Sequence, residues 1–461
     1  MKKLLLILII FSFSHLKAVN ALVPGNAPIS GGIVTVIDMD NLTTIATIPV
    51  GSDPQRMAVS SDKKKAVVAN LTDGTVTVID LNTFLTTTIA VGITPFGVAI
   101  TPDSSKAFVV NNGSLNTSVI DLTTSPPSLL TNINSGSHIN GGFQGMALTH
   151  DGSKLFVIAG ASYDFIVPID VATLTPLTRI PLAGSIFSMA ISPDGNTLLA
   201  ALNNNHVVTP IDVPSLTPLT DISVGSGAPV SIAIDSLNNI AYVANTNSHT
   251  ITPIDLNTLT PLTDIQIPSG DEPQFIAITP DNTKLFSVNV IGNSVTPIDI
   301  TGSPVVLTDI AVGNLPQYCV FNSDMALITN FFSSNVTPID LATLTALTNI
   351  SVASQPSQAG TYIPSNVPFA PSNFSGKRIV TKSVFEKDLI NSLFWTPPVS
   401  GNAAFYKIFR NSALTDLAGT VSGNITTFND HNRKQGVVYT YYLVAVDSNG
   451  NTSAPVFLSF P

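Results

Sequence analysis

In this 461-residue chain the dipeptide Ile-Asp recurs in a periodic series at Asp38, Asp80, Asp121, Asp170, Asp212, Asp255, Asp299 and Asp340, with spacings of 42, 41, 49, 42, 43, 44 and 41. A unit near 42 residues is too long for one coil of a β-helix and has the size of a four-stranded propeller blade. One unit reads as four short strands: Met57 to Val59, Ala66 to Asn70, Thr75 to Ile79 and Leu85 to Val91. Thr, Val and Ile alternate within these runs, and Gly, Pro, Asn and Asp stand between them. The recurring Asp ends the third strand, where its carboxylate can accept a backbone N–H two residues on. We assign it that turn-forming role in preference to metal ligation. Asp103, Asp151, Asp194 and Asp281, between first and second strands, read the same way. Later units place Pro168, Pro210, Pro253, Pro297 and Pro338 before Ile-Asp. A proline removes a ladder donor, so these are expected at outward or bulged positions.

Complete units begin near Met57, Val98, Met146, Met189, Ile232, Ile276 and Cys319, which makes seven. Ile33 to Val50 supplies a further third and fourth strand, and residues 358–363 read as a further first strand. If the two halves meet, the chain ends close a shared blade and remove the exposed sheet edges. The expected fold is therefore all-β, a β-propeller of eight blades with seven as the alternative.

Segments such as Ala241-Tyr242-Val243-Ala244-Asn245, followed by Ser248 to Asp255, resemble the YVTN-type β-propeller repeat of surface-layer and other exported proteins. The resemblance spans about residues 31–364. It departs from the WD40 pattern, because the one tryptophan, Trp395, lies outside the repeats. The resemblance implies a propeller fold and leaves function open, since its superfamily holds lactonase-like enzymes, the nitrous oxide reductase propeller and plain binding scaffolds.

After Pro364, Pro368 and Pro371 the repeat stops. Leu393-Phe394-Trp395, Tyr406 to Arg410, and Tyr439 followed by Leu443 to Gly450 resemble a fibronectin type III domain, a β-sandwich in which Trp395 would fill the core and Tyr439 would form a tyrosine corner. At the other end, Lys2 and Lys3 precede an apolar run from Leu4 to Phe13, with Val19 and Ala21 at the −3 and −1 positions of a signal-peptidase site. The expected organisation is a signal peptide over 1–21, the propeller over 22–364, a linker over 365–372 and the fibronectin-like module over 373–461. The apolar run is shorter than the roughly 20 residues that span a bilayer, so no integral membrane anchor is expected. Cys319 is the only cysteine and reads as a buried structural thiol.

Only 10% of residues are charged. Residues 22–364 hold 23 Asp and one Glu against six Lys and two Arg, a balance of −16 that excludes nucleic acid as a partner. Acid–base chemistry needs convergent charged groups, and within the propeller Arg56, Arg179 and Glu272 are the only Arg and Glu. Arg56 and Glu272, both in entry loops beside Pro54 and Pro273, form the one conceivable catalytic pair. His206 and His249 occupy equivalent turns, six residues before Asp212 and Asp255, and His138 lies in a long entry loop on the same face. These three are binding candidates on the loop face. Metal ligation needs nitrogens near roughly 2 Å from one ion, and turns of neighbouring blades diverge, so no metal site and no cofactor are expected. The sequence thus points to an exported, non-catalytic binding scaffold for a protein or carbohydrate ligand at the cell envelope, with a lactonase-like hydrolase acting on a small lactone or sugar-derived substrate as the alternative.

Overall fold

The computed structural model describes residues 20–356, leaving out 28–30, 40, 82–83, 137–144, 161, 163, 269–270 and 322–323. It also describes residues 372–460, leaving out 383–386, 397–403, 424, 432, 435–436, 447–451 and 453–454. Eight antiparallel sheets follow one another along residues 20–351. The first comprises β1 (Asn20–Asn26), β2 (Gly32–Asp38) and β3 (Thr43–Val50). The second comprises β4 (Pro54–Val59), β5 (Lys65–Asn70), β6 (Thr75–Asp80) and β7 (Thr86–Ala90), in that spatial order. Sheets three to eight repeat this order, and the first strands of successive sheets touch from sheet two to sheet eight, so they form the inner wall of a ring.

Second and third strands are apolar without alternation because they are covered on both faces. In β5, Ala66 and Val68 face back onto Leu22, Val34 and Val36 of the first sheet, while Val67 and Ala69 point the other way. Val67 packs forward on Ala107 and Val109 of the third. All of them are fully buried or nearly so. The ring closes through Ala21, Val23, Ile37 and Met39 of the first sheet, which pack on Leu327, Val336 and Ile350 of the eighth. The N-terminal segment therefore supplies a second strand, β1, in addition to the two expected. The expected first strand at residues 358–363 lies outside the described residues, but Ser354 already bridges Asn26, its carbonyl accepting from the Asn26 amide as the Asp53 carbonyl accepts from the Leu71 amide in the second sheet.

The recurring aspartates accept turn amides, two residues on at Asp121 and Asp299, where Thr123 and Thr301 donate at 2.8 and 2.9 Å, and three residues on at Asp170, where Thr173 donates at 2.7 Å. The five prolines stand inside third strands with their nitrogens toward the outermost strand. Each proline carbonyl still accepts from that strand, as from Leu219 to Pro210 at 2.7 Å. The missing donor splits the outermost strand into two short pieces, such as Thr217–Pro218 and Ile222–Ser223. Where valine stands instead, at Val36, Val78 and Val119, the outermost strand runs unbroken.

Residues 372–460 form two further sheets. One has three strands, Ser372–Lys382, Lys387–Thr396 and Thr427–Asp430. The other has four, in the order Leu417–Ser422, Phe405–Phe409, Tyr439–Val446, Val456–Phe460. Their shared core holds Leu393, Trp395, Tyr406, Ile408, Tyr441 and Leu443. Trp395 meets the Tyr406 ring edge-on at 5.2 Å.

Candidate binding face

Entry loops and the turns between second and third strands meet at one end of each sheet. The amide of Gly113 donates to the Ile93 carbonyl at 2.9 Å, that of Val290 to Glu272 at 3.2 Å and that of Phe332 to Asn314 at 3.2 Å. Beneath them the last residue of most second strands is asparagine. Asn70, Asn245 and Asn330 each donate from Nδ2 to a third-strand threonine, Thr77, Thr252 and Thr337, at 2.8 to 2.9 Å. A β-carbon on Gly51 would come within 2.6 Å of Asn70 Cγ, which is why this loop begins with glycine.

Arg56 sits not in an entry loop but inside β4, where the strand already begins at Pro54, at the position that Phe275 and Tyr318 hold in their own first strands. Its guanidinium lies 4.9 Å above the Phe96 ring, and Tyr318 stacks on Phe275 at 4.2 Å. Burial lowers the Arg56 pKa to about 10, with nearby Tyr318 opposing the shift. Sheets two and eight are not neighbours, so the Arg56–Tyr318 approach places this aromatic and cationic cluster on the inner wall of the ring. Arg56 is 9% exposed. Glu272 is half-buried immediately before the strand Pro273–Ile278, and its carbonyl accepts from Val290.

His206 and His249 occupy equivalent turns with left-handed backbone, φ 57° and 55°. Each spans to the next sheet's entry loop: His206 Nδ1 to the Gly227 carbonyl at 3.1 Å, and His249 Nδ1 to the Asp271 carbonyl at 2.5 Å. A carbonyl only accepts, so Nδ1 carries the hydrogen in both rings. Asn293 makes the same kind of tie in the following sheet, accepting from the Leu315 amide at 2.8 Å. The two histidines are thus fasteners between successive sheets, one per seam. His138 lies outside the described residues. Among the described residues, no three His, Cys, Asp or Glu side chains are placed to hold a metal ion. Cys319 is buried, and burial pushes its thiol pKa well up.

Two features of this face carry no signal in the sequence. Asp271, 8% exposed, lies against Asn289, Ser294 and Asp309. At the loop tips, Ile93, Ile291 and Phe332 are 65%, 59% and 66% exposed.

Solved structures with the same fold are distant in sequence. A hydrazine synthase chain from Kuenenia stuttgartiensis is 20% identical, with 63% of this chain and 96% of that one covered and a TM-score of 0.51. The dihydro-heme d1 dehydrogenase NirN in complex with DHE is 18% identical, with 75% of each chain covered and a TM-score of 0.59. Apo AztD from Citrobacter koseri is 13% identical, covering 75% of this chain and 98% of that one, with a TM-score of 0.57. At such identities the likeness shows the fold alone. No curated protein matches the chain. The YNCE-like beta-propeller family matches residues 26–328, about two thirds of the sequence. The chain belongs to the YNCE-like beta-propeller family.

Proposed function

We propose that this protein is an exported, non-catalytic scaffold whose loop face binds a protein or carbohydrate ligand at the cell envelope. The observation that carries the reading is the division of labour on that face. The polar side chains that could do chemistry are engaged in holding sheets together, as with His206 and His249, or are buried on the inner wall, as with Arg56. The side chains offered to solvent at the loop tips include the apolar Ile93, Ile291 and Phe332 beside polar ones such as Asp73, Asn205 and Asn247. Apolar tips on a rigid framework suit contact with a partner surface.

Export rests on the signal pattern of residues 1–21. Cleavage after Ala21 falls within β1 and leaves Leu22 to Asn26 to pair with β2. Among the described residues no helix is long and apolar enough to cross a membrane. A fibronectin type III-like identity for residues 373–461 is supported by the sheet order of the sandwich and by Tyr439, whose hydroxyl accepts from the Lys434 amide at 3.0 Å, five residues upstream.

The test is a binding screen of the purified full chain against envelope glycans and envelope proteins, run beside a panel of lactones. Retention of one ligand by the wild type, lost in the Ile291→Ser/Phe332→Ser double variant, is the expected result. Lactone turnover abolished by Arg56→Ala or Glu272→Ala would replace the scaffold reading with a hydrolase.

A further inference from the structure

The apolar tips of the loop face stand on turns that neighbouring loops hold in place. Ile291 of the seventh sheet and Phe332 of the eighth share one such loop: Asn293 Oδ1 accepts from the Leu315 amide at 2.8 Å, the Asn314 amide donates to Ser333 Oγ at 2.7 Å, and the Phe331 amide donates to the Leu315 carbonyl at 3.0 Å. Phe331 meets Phe332 edge-on at 5.4 Å. In the third sheet Ile93 lies along Gly113, where a β-carbon would come within 2.7 Å of its Cγ2, and Leu115 beside it is also exposed. Apolar side chains held in water on ordered turns mark a contact surface, and little conformational freedom remains to be lost when a partner covers them.

Charge is divided between the two ends of the propeller. Its six lysines, Lys63, Lys64, Lys65, Lys106, Lys154 and Lys284, fall at the turns between first and second strands, the end opposite the loop face. There they stand among the turn aspartates, with Lys106, Lys154 and Lys284 in register with Asp121, Asp170 and Asp299. Of the two arginines, Arg56 is buried on the inner wall, and Arg179 lies between the two pieces of the fourth sheet's outermost strand, over the Phe165 ring at 4.4 Å. The loop face is thus left without a lysine or an exposed arginine, and its acids, among them Asp73 of the second sheet and Glu272 of the seventh, have no cation beside them to offset their field. The first sheet packs on the eighth, the second on the first and the third on the second, so the arc from Ile291 and Phe332 to Ile93 begins beside Glu272 and passes Asp73. Such a surface repels anionic lipid and attracts lysine and arginine.

We propose that the arc of the loop face from the seventh to the third sheet docks a cationic amphipathic segment of a partner protein, its apolar side chains covering Ile291, Phe332 and Ile93 and its basic ones facing Glu272 and Asp73. The inference rests on the reading of this face as a binding face and narrows its ligand from protein or carbohydrate to a basic polypeptide. The buried apolar contacts govern how long the complex lasts. The acids, at a wet rim, govern mainly the rate of encounter and its dependence on salt.

The probe is a dye-labelled amphipathic peptide of lysine and leucine, with a counterpart carrying glutamate at every lysine, each titrated into the purified full chain by fluorescence anisotropy. The lysine peptide should bind, the glutamate peptide should not, and affinity should weaken as salt rises from about 0.05 to about 0.3 M. Ile291→Ser/Phe332→Ser should weaken binding by about tenfold or more. Asp73→Asn/Glu272→Gln should weaken it by about threefold, chiefly through slower association. Leu85→Ser removes an exposed leucine at the opposite end and should change nothing. No binding of the lysine peptide, equal binding of the two peptides, or binding that survives the tip variant or is lost in Leu85→Ser overturns the inference. A glycan retained through the tips while the lysine peptide is ignored also overturns it and keeps the binding-face reading; a face that retains neither removes both.

Discussion

The amide of Asn26 donates to the carbonyl of Ser354 at 2.8 Å, and Ser354 Oγ donates back to the Asn26 carbonyl at 2.9 Å, joining residues 328 positions apart. Gly25 makes this approach possible, since a β-carbon there would lie 2.9 Å from Ala353 Cβ and 3.0 Å from the Ser354 carbonyl. Gly25→Val should therefore part the seam, and Leu327→Ala, which empties a fully buried site facing it, should cost about 2–5 kcal/mol. Urea unfolding of both variants checks this. Unchanged midpoints would mean that the chain ends do not hold the ring.

The turn aspartates set an acid limit. Asp121, Asp212 and Asp299 are held below the usual carboxylate range first by the hydroxyls of Thr123, Ser215 and Thr301 and then by the amides of the same residues. A lowered folded pKa contributes stability above the unfolded value, about 3.9, and loses it as pH falls through the folded one. The urea midpoint should thus drop below about pH 4. Thr123→Val, which removes one hydroxyl donor, should soften the acid dependence in proportion. Asp271, whose pKa is raised first by burial and then by Asp309, titrates in the opposite sense.

Proline placement sets the outer edge. Pro210→Val should restore an N–H toward the outermost strand and join Thr217–Pro218 to Ile222–Ser223, as Val78 permits for β7. Slower exchange at the Ile222 amide would register the repair. The same variant should aggregate more readily, because a longer unbroken edge strand offers more pairing sites. Light scattering during refolding measures that.

Trp395, the one tryptophan in the chain, reports on the two C-terminal sheets alone. Asp430 in those sheets accepts from Arg410 at 2.9 and 3.0 Å and from the Tyr441 hydroxyl at 2.7 Å. Burial raises its pKa, but the Arg410 and Tyr441 hydrogen bonds outweigh this and hold it low. Asp430→Ala would leave the Arg410 charge without its main partner in a half-buried setting. The loss should approach about 3–5 kcal/mol at most, read as a shift of the fluorescence unfolding curve.

The eight periodic Ile-Asp dipeptides were enough to place every third strand, because a turn that recurs needs the same side chain each time, while a ninth, Ile234-Asp235, ends a first strand. Strand β1 was hidden, since Asn20 and Ala21 fall in the segment that reads as an export signal. His206 and His249 were correctly assigned to equivalent turns. Their partners, Gly227 and Asp271, lie 21 and 22 residues on in another unit, and only the packing of one sheet on the next brings them together. Leucine gave no hint of its left-handed backbone at Leu42, Leu174, Leu216, Leu259 and Leu344, φ 53° to 57°. That conformation is rare for a branched apolar side chain, and it persists here because each leucine packs into a hydrophobic cluster.

A strand such as β5, whose alternate residues belong to two different interiors, leaves no sheet with an interior of its own. Lineages of such a chain can lengthen or shorten only by whole units, because half a unit would orphan one apolar surface on each side of the break. A residue that drifts in one unit, for example Val67 or Val68, selects for change in one neighbour and spares the other. Copies can therefore diverge pairwise around the circle while the Ile-Asp punctuation stays the same.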